Sequence, residues 1–181
     1  MTKLSHINTP FLITSIVSKQ YIYFILFNLI MITPNTGKNT IGIGWYDPVS
    51  YSELIYMVPR RWNKHYTSVY EGVTYYFRNW ENEKAFDQNP VQYLPQYGGY
   101  CATAISEWQT APIDPFTFRI EDNKLYLFYN DRWGNNTVND RESNHDNRKT
   151  AADKHWNNQN IKDNGTGIVY SSRITWLKSF F

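Results

Sequence analysis

The chain has a single cysteine, Cys101, in 181 residues. A lone thiol cannot close an internal disulfide, nor can it supply the two or four thiolates of a structural zinc site. Cysteine count therefore leaves the redox compartment open. Net charge is also small, +2 at neutral pH, too little for a long-range field that would steer a polyanion. The one dense basic stretch, Arg60, Arg61 and Lys64 with Trp62 and Tyr66 interleaved, is short and reads as a solvated loop. No nucleic-acid partner is expected. Nucleophile-elbow, phosphate-loop and serine-triad signatures are missing, which removes the usual grounds for a hydrolase or nucleotidase. The glycines of IGIGWY, residues 41–46, do not form a dinucleotide fingerprint, because Asp47 stands where its third glycine belongs.

No uninterrupted apolar run reaches the roughly 20 residues of a membrane-spanning helix. The run YIYFILFNLIMI, residues 21–32, has the length of a signal-peptide core and follows Lys3 and Lys19, with no acid anywhere before Asp47. Extending it back to Phe11 would place Lys19 near mid-membrane at a cost of roughly 2.5–3.5 kcal/mol. No A-x-A-like cleavage site follows. Residues 1–40 are thus expected to be a leader for export, with a retained anchor or a folded start as alternatives.

Aromatic residues are abundant: 15 Tyr, 10 Phe and 7 Trp. The chain is long enough for one domain with a sizeable core, and that core should be aromatic, with phenol and indole groups bonded inside it. IGIGWY reads as an opening strand with close backbone approach. Asp47 followed by Pro48 predicts a capped helical turn. Residues 66–77, turning at Glu71 and Gly72, predict a hairpin with Val73, Tyr75 and Phe77 on one face. Asn79 predicts the cap of a helix with Glu81 and Glu83 in its first turns, Trp80, Ala85 and Phe86 inward, and a stop at Asn89 and Pro90. A helix over about 100–108 would set Cys101, Ile105 and Trp108 on one face. FTFRI and KLYLFY predict a second hairpin turning at residues 121–123. Residues 130–149, rich in Asn, Asp, Arg and Ser, predict a long mobile loop, and TAADKHWNN a last short helix. The fold class expected is α+β: a small antiparallel sheet of hairpins packed against short helices in a single domain over residues 41–158, with a tail, 159–181, of no assigned structure.

Five segments, DPVSY, YEGVTYYF, AFDQNPVQYLPQYGGYCA, and the pair DNKLYLFYN and ADKHW, resemble the YHS-domain family in its longer, commonly exported bacterial-type form. The resemblance spans about residues 41–156 and implies a compact α+β unit. Short members of the family, and the related TRASH domains, are associated with heavy-metal handling through cysteines. Carried onto this chain, those cysteine positions fall at Ser50, Arg78 and Asn82, none of which is a thiolate ligand. Arg78 would set a fixed positive charge where a dication belongs.

Cys101 remains the candidate for chemistry. A thiol at a helix start meets unpaired N–H groups and the positive end of the macrodipole, which favour thiolate. The expected site is Cys101 with Tyr97, Tyr100 and Tyr51 lining a pocket and His65, or alternatively His155, as an imidazole partner. It would take a small ligand or a soft metal ion, the metal through Cys101. Free cysteine is also among the most buried residue types, which gives Cys101 a purely structural reading. Trp45, Trp62 and Trp108 are candidates for stacking on a sugar or planar ligand. The acidic stretch Asp140, Glu142, His145 and Asp146 lacks calcium-loop register and reads as solvated. The function expected is a non-enzymatic accessory protein, exported or membrane-tethered, binding a small ligand or soft metal near Cys101. The alternatives are a structural or interaction module with no ligand, and a thiol-based redox protein.

Overall fold

The computed structural model describes residues 33–36, 40–52, 59–131, 133–142, 144–159 and 161–166. The apolar run of the expected leader, and the tail beyond Thr166, lie outside the described residues. The architecture is α+β: two separate two-stranded antiparallel sheets with short helices around them.

The first sheet pairs β1 (Thr67–Tyr70) with β2 (Val73–Tyr76) in the register Tyr70↔Val73 to Thr67↔Tyr76. Glu71 and Gly72 both have positive φ, 48° and 78°, the geometry that matches strand twist in a tight hairpin. Period-2 alternation sends Val73, Tyr75 and Phe77 inward, where they join Val49 and the fully buried Phe86 in one core cluster. Phe86 comes from α1 (Trp80–Gln88), which starts as its sequence dictates: the Asn79 side chain accepts from Asn82 N–H at 2.9 Å. Trp80, expected inward, is 54% exposed, and Asn82 takes the buried place instead. Asn89 ends α1, and Pro90 opens the single turn α2 (Pro90–Tyr93).

Residues 41–46 are not the expected strand. Tight turns occupy Gly42–Trp45, with Ile43 and Gly44 left-handed, and only isolated bridges remain, Ile41 to Thr74 and Tyr46 to Arg61. Close approach is nonetheless what Gly42 supplies: a Cβ there would sit 2.3 Å from the Tyr75 ring.

The second sheet pairs β3 (Asp114–Glu121) with β4 (Lys124–Phe128), turning at Asp122 and Asn123, both left-handed. Four consecutive residues of β4 are buried. Leu125 and Leu127 face one cluster with Ile43, Tyr51, Cys101 and Ile113, while Tyr126 and Phe128 face a second with Tyr97, Tyr100 and Ile105. β4 is therefore a core strand covered on both sides, and its near-continuous apolar sequence follows from that position.

Cys101 occupies the N-cap of α3 (Ala102–Ser106), which is only five residues long. Trp108, expected on its inner face, lies past the helix end with φ 63° and is 52% exposed. The predicted mobile loop at 130–149 instead contains α4 (Thr137–Glu142) and the start of α5 (His145–Asn158). Only Ala152 of α5 is buried. Polar ties hold the helix in place: Tyr97 to Asp153 at 2.8 Å, His155 Nδ1 to the Ile105 carbonyl at 3.1 Å, and Arg148 to Glu107 at 2.8 Å.

Candidate functional site

Three places concentrate the residues that sequence chemistry singles out. The first is Asp47. Its carboxylate is fully buried and accepts four hydrogen bonds, from the N–H groups of Val49 (2.9 Å), Ser50 (3.3 Å) and Arg78 (3.0 Å) and from Asn82 Nδ2 (2.7 Å). Ser50, Arg78 and Asn82 are the positions onto which the family resemblance maps metal-binding cysteines, and all three meet at this one carboxylate. The Arg78 side chain is exposed, so its charge does not sit in the cluster as expected; its backbone N–H does. Burial raises the Asp47 carboxyl above the ordinary 3.8, and the bonds from Arg78, Asn82, Val49 and Ser50 pull it part of the way back. A carboxylate with four inward donors is saturated, and it caps the Val49–Ser52 turn while pinning the hairpin and α1 to it.

The second place is Cys101. The thiol is completely buried. Its one hydrogen-bonding side chain among the described residues is Thr137, with Sγ 3.3 Å from Oγ1. The Thr137 hydroxyl donates its only proton to the Tyr129 carbonyl at 3.0 Å, so it presents lone pairs to the sulfur. That arrangement suits a protonated thiol that donates. Sγ caps no amide of α3, and one turn of helix carries little macrodipole.

The tyrosines proposed around Cys101 separate into two core clusters. Tyr51 shares Cys101's cluster, donates to the Pro115 carbonyl at 2.9 Å, and lies edge-on to Phe118. Burial pushes its phenol well above the usual range. Tyr97 and Tyr100 belong to the other cluster, on the opposite face of β4, packed against Trp156. His65 is exposed beside Asn63 and joins neither. His155 stacks edge-on against Trp108 at 4.7 Å, and His145 sits between Glu121 and Asp146. No group of three His, Cys, Asp or Glu side chains able to hold a metal occurs among the described residues.

The glycine pair beside Cys101 has a packing role. Gly98 and Gly99 are both left-handed, and their carbonyls accept the backbone N–H and side-chain amide of buried Asn35 at 2.8 and 2.9 Å. A Cβ on Gly98 would lie 2.9 Å from the Trp156 ring. Asn35 falls in the stretch assigned to the leader, so the folded unit reaches further toward the N-terminus than residue 41.

The third place is a pocket of about 100 Å3 between the Val49–Ser52 turn, α2 and the tip of the second hairpin. Pro48, Tyr51 and Leu125 line it from the core, Ile120 from β3 and the half-buried Tyr93 from α2, while Ser52, Gln92 and Asn123 stand at its exposed edge. Tyr51 is the one member of the expected site that lines it. Leu125 is two residues along β4 from Leu127, the bridge partner of Cys101, so pocket and thiol share one core cluster without touching the same space. Sequence reasoning missed Leu125, Ile120 and Asn123 as site residues because each reads only as hairpin.

Of the three stacking candidates, Trp45 and Trp62 come together at the surface, with ring centroids 6.3 Å apart, and Trp62 leans on Tyr76 at 5.0 Å. Trp108 is elsewhere, against His155. No helix among the described residues is long and apolar enough to cross a membrane. No family model, curated protein or solved structure matches this chain.

Proposed function

We propose that this chain is a non-enzymatic accessory protein of the YHS type, exported or membrane-tethered, that holds a small ligand in the pocket over Tyr51. One observation carries the reading: an apolar floor of Pro48, Tyr51 and Leu125 opens to solvent between short polar side chains, which is the general build of a small-molecule site. The ligand sits near Cys101, in the same core cluster, but Cys101 supports the pocket floor rather than binding. A soft metal at Cys101 is the weaker form of the proposal, since the sulfur has a hydroxyl for company and no second soft donor among the described residues. A redox role is weaker again, because a buried thiol bonded to Thr137 is out of reach of an oxidant or partner disulfide.

Native mass spectrometry of the purified full chain tests this. The expected result is a stoichiometric small molecule that survives Cys101→Ala and is lost when Ile120→Trp fills the pocket. Loss on Cys101→Ala with the fold intact by circular dichroism returns the site to the thiol and sinks the pocket reading.

A further inference from the structure

The lining of the pocket also constrains what it takes, and the inference here rests on the pocket reading just given. We infer that the ligand is a single uncharged ring carrying an amide-like edge, with a hydrogen-bond donor next to an acceptor. Size comes first. A pocket of about 100 Å3 is somewhat smaller than the roughly 150 Å3 apolar cavity that accepts a benzene. It is well below the roughly 300–1,000 Å3 that a drug-sized ligand or cofactor fills. Because the pocket is open on one side, a single ring enters in part with its edge left at the mouth, and anything larger stays in solvent.

Charge comes second. No carboxylate, ammonium, guanidinium or imidazole lines the pocket; its only ionisable side chains are the phenols of half-buried Tyr93 and of Tyr51 at the floor, the latter with its proton committed to the Pro115 carbonyl. A carboxylate or ammonium group placed against Pro48, Tyr51 and Leu125 would lose water and gain no counter-charge, which is strongly unfavourable. A neutral ring meets no such penalty.

Edge chemistry comes third. Gln92 and Asn123 are exposed carboxamides at the mouth, and a carboxamide offers both donor and acceptor. The Asn123 side chain makes no hydrogen bond among the described residues, and Gln92 accepts only a long contact from Asn89 at 3.4 Å, which leaves its N–H donors for a ligand. Asn123 is held there by the hairpin turn at φ 59°. A ligand amide presents the reciprocal pair.

The test compares benzamide with its charged near-isosteres benzoate and benzylamine, titrated into 15N-labelled full chain and read as amide shift changes around Tyr51, Ile120 and Leu125. Benzamide is expected to bind at least tenfold more tightly than either charged probe. Asn123→Gly, which removes the side-chain amide at a left-handed position where glycine is unstrained, should weaken benzamide severalfold and leave benzene unaffected. Equal binding of benzoate or benzylamine overturns the assignment of a neutral ligand while the pocket stands. Binding of benzamide that Asn123→Gly does not alter overturns the amide edge. No shift with any of the probes, benzene included, overturns the pocket reading itself.

Discussion

The surroundings of Asp47 and of Cys101 bury one chemically reactive side chain each, and they do so by opposite means. Asp47 is inside because four donors from three segments converge on its two oxygens, each replacing a hydrogen bond to water. Cys101 is inside because its neighbours are Tyr51, Ile113, Leu125 and Leu127, and a thiol asks only for one hydroxyl, that of Thr137. A charged group has to be built around, and its position is fixed by geometry. A thiol packs like a small hydrophobe, and its position is fixed by volume. The sequence flagged Cys101 as reactive and Asp47 as a cap, yet the denser network of specific interactions belongs to Asp47.

The largest test of this contrast is Asp47→Ala. Removing the acceptor strands buried donors from Val49, Ser50, Arg78 and Asn82, and stability should fall by about 3–5 kcal/mol in urea unfolding. A loss comparable to that of an ordinary surface substitution would mean water reaches the cluster, and the contrast would fail.

Cys101→Ala should cost less, about 1–2 kcal/mol, because one sulfur is lost from a close-packed site that leaves Thr137 still bonded to the Tyr129 carbonyl. In the same experiment iodoacetamide should leave Cys101 unmodified in the native protein and alkylate it in urea. Rapid native alkylation would contradict the sealed position.

The smallest effect is a slope in pH. Burial, opposed in part by its hydrogen bonds, raises the Asp47 carboxyl above 3.8. Between 3.8 and its folded-state value the native protein therefore binds more protons than the unfolded chain. Asp47's contribution to stability thus increases as pH falls through that window and is least above it. Urea midpoints at pH 7 and pH 4 should show the wild type gaining on Asp47→Asn upon acidification. Parallel changes in the two proteins would show that the four donors balance desolvation, and a loss by the wild type would show that they outweigh it.

Both hairpins were readable because their signals are local: alternation along the strands, and Glu71–Gly72 or Asp122–Asn123 where the turns need left-handed residues. The same holds for the Asn79 cap. The helix at Thr137–Glu142 and the first turn of His145–Asn158 were not readable, although TAADKHWNN pointed to the rest of the latter, since a polar segment with few buried residues carries little period. What holds α5 is Asp153 against Tyr97 and His155 against Ile105, partners 50 or more residues away. Trp80 fits the helical period and is still exposed, with Asn82 buried in its stead, and Trp108 is exposed because the helix stops at Ser106 and leaves it in a left-handed turn.

Of the candidate site, the sequence could name the members but not their company. It determined by itself the α+β class, the two hairpins, the cap at Asp47 and the aromatic core, since each depends on residues adjacent in the chain or on composition alone. Tertiary structure alone decided that Cys101 faces a hydroxyl, that Tyr51 is parted from Tyr97 and Tyr100 by β4, and that Ser50, Arg78 and Asn82 meet at one carboxylate. Those outcomes depend on which segments pack together, and packing is settled by the fit of whole faces, which no single stretch of sequence contains.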